Sequence, residues 1–301
     1  MISLCEVGPR DGLQNEDKHL STNQKVQLIE NLIESGVPKI EAVSFVHPKV
    51  VPQMADAEDV LKQLGKQSQT EIAGLVLNRS GLERALKTNI DRVHIAAATS
   101  DTFNLKNARK TVKKGVNELS EVIREATKNN QPITAILATA FGCPYEGKVE
   151  RSSVWKVAET FLEAGADEIG LADTTGMANP LQVQDMIRDF RKKFGENVPL
   201  SLHFHNTRGL GLANVLAGYE AGVRRFDASI GGLGGCPFAP KAVGNVCSED
   251  MVHMFEQMGV ETGIDLQHMI LTSEQLEQRI EKTLEGMVMK AGAAFTHFQT
   301  S

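Results

Sequence analysis

Cysteine is scarce and scattered in this chain. Cys5, Cys143, Cys236 and Cys247 are the only four in 301 residues, too few and too far apart for a disulfide framework or a structural zinc site. Any cysteine that matters should matter as a thiol. Basic excess is lacking too: the formal charge is −6 and the pI about 5.8, which offers no positive field to nucleic acid or to an anionic membrane. No apolar run is long enough to span a bilayer. The opening Met1-Ile2-Ser3-Leu4-Cys5-Glu6 reads as a strand and not as a charged leader before a hydrophobic block. These absences set the expectation of a soluble, cytoplasmic protein. There is no linker or low-complexity segment, and no Gly-X-Gly-X-X-Gly after the first strand, so the usual nucleotide fingerprint of an open doubly wound sheet is missing.

What the chain does have is a repeated joint. Glu34-Ser35-Gly36-Val37, Glu163-Ala164-Gly165-Ala166 and Glu220-Ala221-Gly222-Val223 each read as a helix end, a glycine able to take a left-handed cap, and a step into a strand. Thr88-Asn89-Ile90-Asp91 repeats the joint with Asn89 in the capping place. Between the joints, strands are expected to begin near Ile2, Lys39, Glu71, Arg92, Ile133, Glu168, Leu200 and Arg224, with helical patterns in most of the gaps. Strands alternating with helices mean βαβ units and a parallel sheet. Eight of them, in a chain somewhat longer than the ~250 residues such a fold needs, predict an α/β protein built as a closed (β/α)8 TIM barrel. The expected layout is one catalytic domain over 1–301, with the barrel over about 1–247 and an added helical region from about 248.

Within that frame the most informative residues are His203 and His205, two imidazoles at i and i+2 in an otherwise apolar run. In a strand both point to one side, which is a way to present two nitrogens to one ion; a pair of satisfied interior histidines is the alternative. In a (β/α)8 barrel the reactive groups come from the C-terminal ends of the strands. Those ends supply Arg10 and Asp11, Glu41 and Ser44, Asp173, the two histidines, and a Gly-rich run from Gly231 to Cys236. Two histidines and the Asp11 carboxylate make an open nitrogen and oxygen site for a Lewis-acid cation. Asn245 can add a carbonyl oxygen, although asparagine beside glycine is more often a turn residue. Arg10 reads either as a surface partner of Asp11 or as a forked donor to a developing oxyanion. Glu41, in an apolar strand, needs a partner if buried, and Arg10 or a histidine would supply it. Cys236 sits at the tip of the Gly-rich run, which reads as a phosphate nest, a turn or a lid.

Glu6-Val7-Gly8-Pro9-Arg10-Asp11-Gly12-Leu13-Gln14-Asn15-Glu16, the His203-Phe204-His205 pair and Gly231-Gly232-Leu233-Gly234-Gly235-Cys236-Pro237-Phe238 resemble the 3-hydroxy-3-methylglutaryl-CoA lyases. The resemblance runs from the first strand to the end of the chain. It implies a metal-dependent carbon-carbon lyase that cleaves hydroxymethylglutaryl-CoA to acetyl-CoA and acetoacetate, as in leucine degradation. It implies Asp11, His203, His205 and Asn245 as ligands of Mg2+ or Mn2+. Arg10 and Cys236 would be catalytic, with Glu41, Asp173 and Glu249 as supporting polar residues. Phe204 and Asn206 stand where many members have Cys and Asp, which removes no ligand. The chain end carries neither a peroxisomal tripeptide nor a near-terminal cysteine. The basic cluster of Lys106, Arg109, Lys110, Lys113 and Lys114 reads first as a solvated helix face and second as a contact for the CoA phosphates. The expected partner is an acyl-CoA substrate, with neither nucleic acid nor membrane, and a homo-oligomer, a dimer in the first instance. The competing functions are an acetyl-CoA-dependent synthase condensing a 2-oxo acid, an aldolase of the same superfamily, and a metal-binding subunit without catalysis.

Overall fold

The computed structural model describes residues 1–235 and 243–295. Its first half runs β1 (Ser3–Glu6), α1 (Thr22–Glu34), β2 (Lys39–Ser44), α2 (Ala57–Leu64), β3 (Glu71–Leu75), α3 (Arg79–Ala85), β4 (Arg92–Ala98), α4 (Asp101–Ala108) and α5 (Val112–Lys128). Its second half runs β5 (Ile133–Ala138), α6 (Arg151–Ala164), β6 (Glu168–Asp173), α7 (Pro180–Phe194), β7 (Leu200–Phe204), α8 (Gly211–Glu220) and β8 (Arg225–Ala228). Three more helices close the chain: α9 (Ser248–Gln257), α10 (Leu266–Ile280) and α11 (Val288–Ala291). The eight strands form one closed parallel barrel in sequence order, β8 pairing back onto β1 with Leu4 beside Phe226. This is the (β/α)8 barrel that the strand and helix alternation predicts.

Local chemistry explains the elements. Ser21 opens α1 with a capping box, accepting from the Gln24 amide while the Gln24 side chain accepts from the Ser21 amide. The helix then buries Val26, Ile29 and Leu32 against the barrel wall, each such side chain contributing about 1.5–3 kcal/mol of transfer free energy. The repeated joints take the conformation that their glycines allow: φ is 86° at Gly36, 109° at Gly165 and 95° at Gly222. The fourth joint differs, because Asn89 is not among the residues with positive φ. There the Thr88 hydroxyl bonds the Ala85 carbonyl at 2.7 Å and short turns from Lys87 and Thr88 take up the last carbonyls of α3, so no left-handed residue is needed.

The apolar core lies between the strands and the surrounding helices. The N-terminal end of the barrel is polar: Glu71 bridges Lys39 at 3.4 Å and Arg92 at 2.7 Å. These side chains line a cavity of about 190 Å3 with Cys5, Glu168, Arg225 and Asp227. The C-terminal helices pack on the outer ring, α10 against α1 and α9 against α8. The Asp265 amide bonds the Ser35 carbonyl at 2.7 Å, tying the start of α10 to the end of α1. Asp250 in α9 accepts from the Val288 amide at 2.7 Å, which holds α11. No helix among the described residues is long and apolar enough to cross a membrane.

Candidate metal centre at the barrel mouth

The chain leaves β1 through a π-helical turn, Gly8–Gly12, opened by Pro9. The amides of Arg10, Asp11 and Gly12 all point at the Val7 carbonyl, at 3.1, 2.7 and 3.3 Å. Such π-type turns are rare and frequent at functional sites, and here the turn carries Arg10 and Asp11 in succession. Arg10, 8% exposed, donates Nε to Glu41 Oε2 at 2.6 Å and Nη1 to Asp11 Oδ1 at 2.6 Å. Its Nη2 also pairs with Glu41. Burial alone would lower the Arg10 pKa, but Glu41 and Asp11 raise it, so the guanidinium is a fixed charge.

Asp11 has two further donors. Gln14 Nε2 reaches Oδ1 and Asn245 Nδ2 reaches Oδ2, each at 2.9 Å. Burial pushes its carboxyl up, yet Arg10 and the two histidines bring it down to about 2. It is a carboxylate at any pH where the fold is relevant.

The histidines are placed by β7 and by the segment around Asn245, beyond β8. His203 pairs in register with Asp227 of β8, and its Nδ1 lies 3.3 Å from Asp227 Oδ2. His205 lies just past the strand, in an isolated bridge to Asn245, with Nδ1 3.3 Å from the Val243 carbonyl. The bridge is held on both sides, Asn206 N to Gly244 O and Val246 N to Phe204 O, each at 3.0 Å. Each ring therefore spends Nδ1 on an anchor, and Nε2 remains as the nitrogen able to ligate, as metal-binding histidines generally arrange it. Burial and the neighbouring His203 push His205 down to about 4, so it is neutral and carries a lone pair. His203 goes the other way: burial lowers its pKa, but the Asp227 bond and charge raise it above the ordinary value.

Ligand atoms of Asp11, His203 and His205 lie within 4.8 Å of one another, and this is the one such group of His, Cys, Asp and Glu among the described residues. Asn245 supplies an independent test of whether a cation fits. Its Nδ2 is used by Asp11 and by the Leu233 carbonyl, at 3.0 Å for the latter. Its Oδ1 is buried and has no hydrogen-bond partner among the described residues. An orphaned carbonyl oxygen beside a carboxylate and two imidazoles is the donor set of a hard to borderline divalent ion, and its burial without a partner is a cost that a bound cation would remove.

The other expected site residues surround this centre or lie apart from it. Glu41 is fully buried and meets both partners that were open for it, Arg10 and a histidine, which is His94 at 3.0 Å. Asp173 ends β6 with both oxygens taken by backbone, Met177 N at 2.8 Å and Ala178 N at 2.9 Å. Burial raises its pKa against those bonds. Glu249 is buried in α9 and accepts from the Gly231 amide at 3.0 Å and Ser273 Oγ at 2.9 Å. It fastens the foot of the Gly-rich run. Lys106 lies 4.8 Å over the Tyr145 ring, Lys110 pairs with Glu118, and Arg109 takes the left-handed position that ends α4. Cys236 lies outside the described residues.

The sequence reading gave no role to three residues. Asp227 was detectable as a carboxylate two places into an apolar strand, but only the register of β7 with β8 sets it against His203. His94 shows a comparable signal, a histidine within Val93-His94-Ile95. Glu6, also fully buried, accepts from Gly8 N at 2.7 Å and Ile230 N at 2.9 Å and pairs with the Ser248 hydroxyl, and burial raises its pKa to about 8.

The HMGL-like family model matches residues 1–276. The chain belongs to the HMGL-like family. It is 40% identical to an (R)-citramalyl-CoA lyase of Chloroflexus aurantiacus over 98% of this chain and 96% of that protein. It is also 40% identical to a hydroxymethylglutaryl-CoA lyase of Bacillus subtilis over 94% of each. A solved HMG-CoA lyase from Acinetobacter baumannii, in complex with coenzyme A and 3-methylmalate, superposes with a TM-score of 0.95 at 40% identity, covering 100% of this chain and 98% of that one. These HMGL-like relatives are CoA-ester lyases, and the solved one superposes over the whole chain.

Proposed function

We propose that this HMGL-like protein is a metal-dependent carbon-carbon lyase that cleaves 3-hydroxy-3-methylglutaryl-CoA to acetyl-CoA and acetoacetate. The observation that carries the reading is the orphaned Asn245 Oδ1 beside Asp11, His203 and His205, an open donor set at the C-terminal mouth of a barrel. Those four residues would hold Mg2+ or Mn2+. A divalent ion there supplies Lewis acidity to the oxygens of a bound hydroxyacyl ester.

The chain's own residues do the rest. Cleavage removes the proton of the tertiary hydroxyl, breaks the C2–C3 bond as the oxygen becomes a ketone, and leaves the electron pair as the enolate of acetyl-CoA, which takes a proton at carbon. Arg10 has five N–H groups; Glu41 takes Nε and one from Nη2, and Asp11 takes one from Nη1. One N–H on each terminal nitrogen is left for an oxyanion, and the two carboxylates fix the fork before substrate arrives, which is the preorganisation that makes such donors effective. Cys236 is the candidate for a proton transfer, with protonation of the enolate the favoured step. Lys106, Arg109 and Lys110 remain the candidates for the CoA phosphates; Lys110 is already paired with Glu118, which weakens its claim.

A second reading is favoured by the citramalyl-CoA lyase relative. Citramalyl-CoA presents the same tertiary hydroxyl and thioester with a carboxylate one methylene nearer, and would give pyruvate in place of acetoacetate. Incubating the purified protein with each ester and measuring acetyl-CoA, acetoacetate and pyruvate separates the two. Acetoacetate from the first ester at the higher kcat/KM supports the proposal. Pyruvate from the second, with negligible acetoacetate, replaces it with the citramalyl reading.

A further inference from the structure

His94 is buried in the barrel at 1% exposure, on β4. Among the described residues no hydrogen bond or ion pair joins its ring to any of the four candidate metal ligands. Its Nδ1 lies 3.0 Å from Glu41 Oε1, while its Nε2 is buried without a hydrogen-bond partner among the described residues. A fold gains nothing by enclosing an unpaired imidazole nitrogen, so the retained contact is the one at Nδ1. A violation of local economy of this kind is expected where function sets the residue.

Glu41 is also completely enclosed, and its two oxygens are divided. Oε2 goes to Arg10 and Oε1 to His94. Although burial would raise the carboxyl's pKa, Arg10 and the His94 bond bring it below the ordinary value. Without the imidazole, Oε1 would be a buried acceptor with nothing to accept from. The carboxylate would then turn its second oxygen to the nearest donors, those of Arg10, and draw the guanidinium down into the barrel. With the imidazole in place the guanidinium stays suspended between Glu41 and Asp11, 2.6 Å from each.

We propose that His94 is a positioning residue that sets the guanidinium of Arg10 by holding the far oxygen of Glu41. The inference rests on the lyase reading of the site, since it is Arg10 that would meet the enolate. A misplacement of about 1 Å in such a donor costs on the order of 100-fold in rate, so a change at a residue outside the metal site should be visible in kcat.

The test compares His94→Val, His94→Asn and His94→Gln in the full-length, metal-loaded enzyme. The asparagine amide nitrogen falls where Nδ1 stands, whereas the glutamine nitrogen falls near Nε2. His94→Val and His94→Gln should lower kcat by about 10- to 100-fold, leave KM and Mn2+ affinity within about twofold, and have unfolding midpoints close to wild type. His94→Asn should recover most of the lost kcat. Combined with Glu41→Gln, His94→Val should add no further loss, because its effect passes through that carboxylate. A kcat within about twofold of wild type in His94→Val, no rescue by asparagine, or additive losses in the double variant would each overturn the proposal. If valine does not fold, the asparagine and glutamine pair decides alone. If the wild type cleaves neither ester, the lyase reading fails but His94 is still judged: the Arg10 Nε–H resonance, identified by its loss in Arg10→Lys, should shift or exchange faster in His94→Gln and return in His94→Asn. An unmoved resonance would refute the positioning role.

Discussion

His203 and Asp227 sit side by side on adjacent strands, with His203 Nδ1 3.3 Å from the Asp227 carboxylate. A carboxylate so placed favours the proton on Nδ1 and would leave Nε2 for an ion. Such partners of a ligating histidine are typically worth about 10- to 100-fold in metal affinity. Asp227→Asn should accordingly weaken Mn2+ binding by that order, read from the free-ion signal in electron paramagnetic resonance, with little change in fold. Unaltered affinity would show that Asp227 does not serve the metal site.

The same pair predicts how binding depends on pH. A protonated imidazole cannot ligate, and the two histidines differ: burial and His203 hold His205 down to about 4, while Asp227 raises His203 above its ordinary value despite burial. Above about 4 His205 is already neutral, so His203 is the ring whose proton the ion has to displace. Mn2+ affinity should therefore fall as pH is lowered, and calorimetry in mildly acidic buffers of different ionisation enthalpy should show net proton release on binding. Release of none would contradict the assignment of His203 as a ligand.

Arg10→Lys keeps a charge but loses the planar fork that Glu41 and Asp11 hold. Turnover should drop by at least ~100-fold, the order seen when one preorganised donor is removed, with metal affinity within a few-fold. Weak metal binding with normal turnover per bound ion would make Arg10 a structural partner of Asp11 instead.

Cys5, Cys143 and Cys247 are all buried, and burial pushes the thiols of Cys5 and Cys247 well up. None of the three is poised to react with an alkylating reagent. Inactivation by such a reagent should track Cys236, slow when substrate is bound, and vanish in Cys236→Ser, whose turnover should fall by about 100- to 10,000-fold. Equal inactivation of Cys236→Ser would assign the chemistry to another residue.

The barrel was readable from residues because each helix-to-strand joint carries its own signal. Gly36, Gly165 and Gly222 mark three of them, and the strands start at or within one residue of the expected positions. The candidate metal ligands were readable because strand ends in a parallel barrel converge, and because residues at i and i+2 along β7 share a side. Contacts across the barrel were not. The Glu41–His94 bond joins residues of non-adjacent strands, and the Asp227–His203 contact depends on one register of β7 against β8; neither can be had from periodicity. Asn245 shows the limit most clearly. Beside Gly244 it reads as a turn residue, and only its bridge to His205 brings it to Asp11.

The most direct measurement is turnover of 3-hydroxy-3-methylglutaryl-CoA by protein stripped of metal and then titrated with Mg2+ or Mn2+. Stripped protein should be inactive, and acetyl-CoA and acetoacetate should appear together in equal amounts as ion is restored, but not in His203→Ala or Asp11→Ala at the same ion concentration. Full activity in verified metal-free protein, or no cleavage of the ester at any metal concentration, would contradict the account.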